Sequence, residues 1–307
     1  MVSKMKHKEI IDKMTLEEKA ALLSGKGEWQ TWNLDRLGIP SIYCSDGPHG
    51  IRKQAGTGDH LGLNPSLPAT CFPTAATVAN SWDPELGDKI GQALGQEANT
   101  QGVDIVLGPG LNIKRNPLCG RNFEYFSEDP YLTGVCACEI TKGVQNGRPV
   151  IVCPKHFAAN EQETFRRGNA GKKVDAVDSI LTERSARELY LKPFEMLVRE
   201  THIACIMTSF NKINGVFAGG SKDLCTRILR EEWGFDGAVV TDWGDMDIVV
   251  DGADAVAAGN DIVMPGGPPV IRQILKGYEE GRVTREEMET AAGHLLCMIR
   301  RIHGKEK

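Results

Sequence analysis

The sequence predicts an α/β protein, most specifically a (β/α)8 barrel of the TIM type, allowing for irregular first strands. Short apolar runs alternate with helical segments of roughly 10 to 20 residues, which is typical of parallel strands joined by crossover helices. The 307 residues suit a barrel of this kind, which needs roughly 250. The competing fold is a doubly wound open sheet. It lacks its main sign, because Gly108-Pro109-Gly110 does not continue as G-x-G-x-x-G into a helix.

Six apolar runs rich in Val and Ile are predicted to be buried strands, because strands covered on both faces show no alternation with polar residues. One or two weaker strands are expected around residues 71–78. The six strands are predicted at residues 39–44, 104–108, 150–153, 204–207, 237–241 and 261–264.

The helices are indicated by their ends and by their apolar spacing. Thr15 and Glu18 have the spacing of a capping box, Pro84 suits a first helical turn, and Gly147 follows the end of a helix. A long amphipathic helix is predicted over residues 178–200. The complete set of helices is predicted at residues 15–24, 84–100, 131–146, 178–200, 222–232, 247–258, 269–280 and 284–302.

Composition argues against several classes of function. Hydrophobic residues make up 41% and charged residues 25%, and the net charge of −5 argues against a nucleic-acid partner. No run reaches the ~18 apolar residues of a membrane span, and residues 1–6 lead into charged residues rather than an apolar signal core. The nine cysteines, an odd number, are therefore expected to be mostly reduced in the cytoplasm. Cys136-x-Cys138 lacks a second ligand pair, so no metal and no cofactor is expected.

Polar and aromatic residues follow nearly every predicted strand, at positions where packing does not require them. Because the carboxyl ends of barrel strands meet at one mouth, these residues are expected to lie together. Carboxylates, cations and aromatic walls in one mouth suit a polyhydroxylated substrate. The candidates are Asp46 and Arg52 after the first strand, Arg121 after the second, Lys155, His156 and Arg166 after the third, Met207 and Phe210 at the fourth, and Asp242 and Trp243 after the fifth.

Asp242 is the candidate catalytic nucleophile, because packing explains the preceding run Ala238-Val239-Val240 but not the carboxylate that ends it. Simpler interpretations remain open. Asp242 can serve as the N-cap of the next helix, Asp46 can shape an Asp-Gly-Pro turn, and Arg121 can pair with a nearby glutamate. Lys155 and His156 can belong to a solvated loop, and Met207 and Phe210 can be core residues only. Arg52 and Arg166 can have structural roles.

Four motifs stand in a fixed order along the chain. They are Ser-Asp-Gly-Pro-His-Gly-Ile-Arg at residues 45–52, Cys-Gly-Arg-Asn-Phe-Glu-Tyr-Phe-Ser-Glu-Asp-Pro at residues 119–130, Lys-His-Phe at residues 155–157 and Val-Thr-Asp-Trp at residues 240–243. In these motifs the chain resembles glycoside hydrolase family 3, in its β-glucosidase branch, over roughly residues 12–300. The second motif is the most specific, because twelve residues in that order are improbable by chance.

The resemblance implies a retaining β-glycosidase that hydrolyses terminal non-reducing β-D-glucosyl residues through a glycosyl-enzyme ester on Asp242. It implies that Trp243 forms an aromatic wall and that Asp46 binds remote hydroxyls of a glucose-like sugar. Met207 matches a residue lining that subsite. Phe210 stands where the family usually has Tyr, which removes one hydroxyl near the nucleophile. The residues that match donors around the sugar are Arg52, Arg121, Lys155, His156 and Arg166.

Retaining hydrolysis also needs a second carboxyl group, which acts first as an acid and then as a base. In the family branch that this chain resembles, it is a Glu from an α/β-sandwich domain that follows the barrel. Residues 1–307 are all assigned to the barrel domain, so the sandwich domain is expected to be absent and a second chain or domain to supply the Glu. Glu161 and Glu163 are local alternatives, since no His matches the motif of another branch. A catalytically silent sugar-binding barrel is the alternative function.

Overall fold

A computed structural model describes residues 7–59, 62–244 and 249–303. Residues 1–6 and the start of the helix predicted from residue 247 lie outside these ranges. The strands are β1 Cys44–Asp46, β2 Ile105–Leu107, β3 Ile151–Val152, β4 Asp178–Ser179, β5 Cys205–Met207, β6 Lys212–Ile213, β7 Val216–Phe217 and β8 Ala238–Val240.

Most of the regular secondary structure in the described chain is helical. The α-helices are α1 Lys8–Ile11, α2 Leu16–Leu22, α3 Ala75–Ala79, α4 Pro84–Thr100, α5 Pro130–Gln145, α6 Glu183–Ser185, α7 Lys192–Thr201, α8 Gly252–Ala258, α9 Pro268–Glu279 and α10 Arg285–His303. Two π-helical segments are Ala186–Tyr190 and Asp223–Glu232. The 3₁₀ helices are Asp35–Leu37, Asn122–Glu124, Ala170–Lys172 and Ala218–Gly220. None of the helices in the described ranges is both long and apolar enough to span a membrane.

The strands form three short sheets rather than one continuous closed sheet. One sheet holds β1, β2 and β3, which are parallel, and a second holds the parallel pair of β5 and β8. The third sheet lies apart from this series and contains the antiparallel pair of β6 and β7. The order β1, β2, β3 and then β5, β8 follows the chain, as in a barrel of parallel strands.

Isolated bridges connect the first two sheets into a ring. Parallel bridges join Phe157 with Thr208, Val240 with Ile262 and Ser24 with Val263, and antiparallel bridges join Gly25 with Thr31 and Gln30 with Tyr43. The last bridge lies beside β1, so the ring returns to its first strand. Its two antiparallel bridges lie near the N-terminus of the chain. The predicted α/β fold with a TIM-type barrel is confirmed, and its irregular part is at the beginning.

Two segments differ from the sequence-based expectations. Residues 71–78 form no strand, because Thr74 caps α3 by accepting a hydrogen bond from the Thr77 N–H. The helix expected over residues 178–200 is divided into β4, α6, the first π-helical segment and α7. The side chain of Thr182 begins α6, and Pro193 lies in the first turn of α7, where its missing N–H costs no hydrogen bond.

Two other expected strands are displaced or reduced. The strand expected at residues 39–44 is observed as β1, which begins only at Cys44. Residues 261–264 contribute the isolated bridges at Ile262 and Val263 rather than a ladder. Because the ladders are short, the loops that carry the polar residues begin only two or three residues after each strand starts.

Alternation along the strands divides the core into two layers. Cys205 and Met207 of β5 belong to the cluster that fills the barrel and packs against α10. Ile206, between them, belongs to the outer cluster and packs with residues of α4, α5 and α7. This period of two is the geometry of a pleated strand, and it directs Met207 towards the mouth of the barrel.

Replacing Ile206 by Ala is expected to destabilise the fold by about 2–5 kcal/mol, because the fully buried side chain leaves a cavity between the strand and helix layers. The same change at Ile180, which is 74% exposed, is expected to cost less than about 0.5 kcal/mol. Denaturant unfolding followed by circular dichroism measures both. Equal losses for the two variants would contradict the assignment of Ile206 to the core.

Candidate active site

An open pocket lies at the carboxyl ends of the barrel strands. Nine of the ten residues predicted for the site line it, and Phe210 does not. Trp29, Leu107 and Glu163 complete the lining. The lining residues predicted from the sequence are Asp46, Arg52, Arg121, Lys155, His156, Arg166, Met207, Asp242 and Trp243. The structure therefore brings residues from as far apart in the sequence as Asp46 and Trp243 together at one mouth, as the strand order requires.

Asp242 lies two residues beyond β8 and is 8% exposed. Its Oδ1 accepts a hydrogen bond from the Trp243 N–H at 2.8 Å, and its Oδ2 accepts one from Arg166 Nη1 at 3.2 Å. His156 Nε2 lies 3.9 Å from Oδ2. Helix α8 is capped by Asp251, and residues 245–248 lie outside the described ranges, so α8 does not test the interpretation of Asp242 as an N-cap.

Asp46 belongs to a series of alternating charges across the mouth. Its Oδ2 accepts a hydrogen bond from Arg52 Nη2 at 3.2 Å, and its Oδ1 accepts one from Lys155 Nζ at 3.1 Å. The ammonium of Lys155 also lies 3.7 Å from Glu124 Oε2, and the other oxygen of Glu124 accepts from Arg121 Nε. Lys155 is thus held between two carboxylates, and Glu124 between two cations.

The alternation continues from Arg121 to Asp242. Arg121 Nη1 lies 3.7 Å from Glu163 Oε1, and Glu163 Oε2 lies 3.3 Å from Arg166 Nε. Arg166 in turn donates to Asp242. We call this series the charge chain; in order it is Arg52, Asp46, Lys155, Glu124, Arg121, Glu163, Arg166 and Asp242. Its four cations and four carboxylates balance, so the mouth is rich in charge but formally neutral.

The pKa values within the charge chain follow from this pairing. Burial opposes ionisation of Lys155, but Asp46 and Glu124 outweigh it and raise the pKa of the ammonium group. Burial likewise disfavours the carboxylate of Asp46, but Lys155 and then Arg52 lower its pKa. The pKa of Glu124 is lowered for the same reason, by Lys155 and Arg121. These three groups are therefore ionised together at neutral pH.

His156 is neutral in this setting. Burial, followed by the charges of Arg121, Lys155 and Arg166, brings the pKa of His156 well below its usual value. Arg121 Nη2 lies 2.9 Å from His156 Nε2, and a guanidinium group can only donate, so Nε2 accepts. The proton is then on Nδ1, which lies 3.1 Å from the Tyr125 hydroxyl. The neutral ring thus positions Arg121, and its single proton, on Nδ1, is engaged with Tyr125 rather than available to a leaving group.

Asn112 holds the backbone of His156 in place. Its Oδ1 accepts from the His156 N–H, and its Nδ2 donates to the His156 carbonyl, both at 3.0 Å. Asn112 is buried and follows β2, whereas His156 follows β3. This pair of hydrogen bonds therefore ties two neighbouring loops of the mouth together.

Two indole rings form the apolar side of the pocket. Trp243 and Trp29 stack with 5.8 Å between ring centroids and an angle of 30° between their planes. Trp243 donates from Nε1 to the carbonyl of Glu28, and Trp29 donates from Nε1 to the side chain of Gln54. The polar edges of both rings are thereby occupied. Sequence reasoning missed Trp29, because it precedes β1 and follows no predicted strand.

Phe210 lies below the surface of the pocket rather than on it. It is 1% exposed, and the guanidinium carbon of Arg166 lies 4.9 Å from the centroid of its ring. A cation at this distance over an aromatic face is stabilised by the electrons of the ring. Phe210 thus contacts Arg166 rather than lining the pocket, and its role in substrate binding remains a prediction.

Glu161 and Glu163 differ in position and in their partners. Burial raises the pKa of Glu161 to about 8, so it carries a proton at pH 7, but it does not line the pocket with Asp242. Glu163 lines the pocket but accepts from Asn160 Nδ2 at 3.0 Å and is flanked by Arg121 and Arg166. Glu161 therefore lacks the location of a general acid, and the carboxylate of Glu163 is already engaged by its neighbours.

Comparison with known proteins identifies the family. The sequence model of the glycosyl hydrolase family 3 N-terminal domain matches residues 13–298. The chain belongs to this family. A relative from Acetivibrio thermocellus, thermostable beta-glucosidase B, is 46% identical over 95% of this chain and 37% of its own length. An exo-alpha-(1->6)-L-arabinopyranosidase from Bifidobacterium longum is 42% identical over 93% of this chain and 36% of its own length.

Solved structures place the family 3 chain in the same fold. Beta-glucosidase 3B from Thermotoga neapolitana in complex with glucose superposes with a TM-score of 0.85 at 36% identity, over 96% of this chain and 42% of that one. The chain spans about a third of the length of the curated relatives it matches.

Replacing Glu124 by Gln is expected to make the free energy of unfolding of this family 3 chain less dependent on pH in the acidic range. Burial opposes ionisation of Glu124, but Lys155 and Arg121 hold its pKa below the usual 4.5. Its carboxylate therefore stabilises the fold fully above pH 4.5, and this contribution is lost as the pH falls through the lower folded pKa. At pH 7 the Gln variant is expected to lose about 3 kcal/mol, because the buried Lys155 and the partly buried Arg121 lose their shared partner.

Denaturant unfolding between pH 3 and pH 7 measures this effect. The gap in stability between the wild type and Glu124→Gln is expected to narrow as the pH falls below 4.5. Glu188→Gln is the matched control, because Glu188 is 59% exposed and pairs with Arg184, four positions earlier in the chain. A gap that stays constant from pH 7 to pH 3 would contradict the pairing of Glu124.

Proposed function

We propose that this chain carries the nucleophile and the sugar subsite of a retaining β-glycosidase that acts on terminal non-reducing β-D-glucosyl residues. The observation that carries the proposal is the position of Asp242. Its carboxylate follows a buried strand at the barrel mouth and lines a pocket whose other lining residues include four cations and two indoles. Relatives named beta-glucosidase at 46% and 40% identity support it.

The proposed reaction begins with attack by a carboxylate oxygen of Asp242 on the anomeric carbon. A bond forms between that oxygen and the sugar, the bond to the leaving oxygen breaks with its electron pair, and a general acid protonates the leaving group. Water then attacks the anomeric carbon of the ester. The same group, now a base, takes the proton of the water, and the Asp242 carboxylate is released.

The pocket supplies groups of the kind that hold a sugar. Asp46 is 36% exposed in its side chain and can accept from sugar hydroxyls, while Arg52 and Lys155 hold it in place. The guanidinium groups of Arg121 and Arg166 are donors close to Asp242. The stacked rings of Trp243 and Trp29 offer an apolar surface for one face of the sugar. These steps use no metal and no cofactor.

The general acid is proposed to come from residues beyond those described. Glu163 is held between two cations and Glu161 lies away from the pocket, so neither serves as the acid. The sandwich-like domain or second chain expected from the family resemblance is the proposed source. We also propose a cytoplasmic location, in agreement with nine cysteines that form no disulfide bond in the described ranges. Cell fractionation of the source organism would test it.

Incubation with dinitrophenyl 2-deoxy-2-fluoro-β-D-glucoside is expected to label Asp242 covalently. The reagent has a leaving group that needs no acid, and its fluorine slows hydrolysis of the ester, so the adduct accumulates. Peptide mass spectrometry is expected to find one fluoroglucosyl group on the peptide that contains Asp242. Asp242→Asn is expected to remain unlabelled.

Asp223→Asn provides the control, because this aspartate is 81% exposed and pairs with Arg227 on the protein surface. It is expected to label like the wild type. If glucose binds to the wild type but no adduct forms on Asp242, the chain is a silent sugar-binding barrel and the proposed activity is wrong.

A further inference from the structure

Glu163 has a position in the charge chain that the proposed reaction does not yet use. It lies in the loop after β3 and lines the pocket, and its side chain is 25% exposed. Its Oε2 lies 3.3 Å from Arg166 Nε, and its Oε1 accepts from Asn160 Nδ2 at 3.0 Å and lies 3.7 Å from Arg121 Nη1. This one carboxylate therefore contacts both guanidinium groups that approach the nucleophile.

Arg166 is held on three sides. Glu163 pairs with its Nε, Asp242 accepts a hydrogen bond from its Nη1, and Phe210 lies against the face of its guanidinium group. Because the guanidinium group is planar and rigid, the contact with Glu163 at one edge sets the direction in which Nη1 points at the other edge. The orientation of the donor to Asp242 thus depends on Glu163.

The attack of Asp242 changes the charge balance around these groups. As the ester forms, Asp242 loses its negative charge, and the sugar passes through a positively charged oxocarbenium-like transition state. Arg121 and Arg166 keep their positive charges throughout. Glu163 stays in contact with both guanidinium groups, and it compensates them at the moment when the nucleophile no longer does.

We propose that Glu163 is a positioning residue that orients Arg166 towards Asp242 and balances Arg121 and Arg166 while the glycosyl-enzyme ester forms. The inference rests on the proposed function, in which Asp242 is the nucleophile. Glu163 acts through the two arginines and is not itself the general acid. Its charge lowers the barrier to attack by Asp242, whereas Asp46 and the indoles hold the sugar.

The proposal also predicts how the ionisation of Asp242 responds to Glu163. The charged or titratable groups of the described chain that approach Asp242 are Arg166, His156 and Arg121. His156 is neutral, since burial and the adjacent cations depress its pKa. Removing the negative charge of Glu163 leaves two guanidinium groups less compensated, which favours the ionised form of the Asp242 side chain.

Glu163→Gln tests the proposal, because the amide oxygen of the variant can still accept from Asn160 while the charge is lost. With the dinitrophenyl 2-fluoroglucoside, the labelling rate at saturation is expected to fall about tenfold. The half-saturating concentration is expected to stay within about twofold. The acid limb of the labelling rate is expected to move about one pH unit lower. Glu188→Gln, at an exposed glutamate, is expected to match the wild type in all three measurements.

Titration of the Asp242 carboxyl by carbon-13 NMR in the wild type and in Glu163→Gln gives a readout that does not depend on activity. A lower midpoint in the variant supports the proposal. An unchanged midpoint overturns it, and so does a slower labelling rate with an unmoved acid limb, which would indicate a merely structural role. If the wild type is not labelled at all, the proposed function fails, and the NMR titration still decides the role of Glu163.

Discussion

The alternation of charge from Arg52 to Asp242 is the constraint on which the rest of the site depends. Each interior member of the charge chain lies between two groups of opposite charge. If one member moves, the charges of its two neighbours lose part of their compensation. Taking an ionised group out of water is costly unless it is paired and hydrogen-bonded. Lys155 and Glu124, which are both nearly inaccessible to solvent, depend most strongly on this pairing.

The charge chain needs the barrel because its members come from loops that are far apart in sequence. Asp46 is the last residue of β1, whereas Glu124 follows β2, Lys155 follows β3 and Asp242 follows β8. Parallel strands of a ring bring their carboxyl ends to one mouth, and the short ladders place each loop close to its neighbour. The fold thus provides the positions, and the charge chain fixes the orientation of the side chains at those positions.

Much of this arrangement is predictable from the sequence, and the limits have physical reasons. Buried strands that end in Asp or Lys mark the mouth, because packing does not require a charge there. The partner of each charge is not encoded locally, and no pattern near Glu163 shows that it lies between Arg121 and Arg166. Trp29 lines the pocket from the irregular N-terminal segment of the ring, which precedes β1. The division of residues 178–200 into several elements depends on local caps and on Pro193, which the apolar spacing concealed.

The central claim is that the described chain holds the nucleophile Asp242 while the general acid lies elsewhere. The most direct test compares two β-glucosides, dinitrophenyl β-D-glucoside and cellobiose, under identical conditions with this chain alone. A dinitrophenolate leaves without a proton, whereas the alcohol released from cellobiose needs one. The account predicts a burst of dinitrophenolate followed by slow turnover, because no base assists hydrolysis of the ester, and it predicts that cellobiose is cleaved at least about a hundredfold more slowly than the burst. Equal rates on both substrates would show that the chain contains its own acid and would contradict the account.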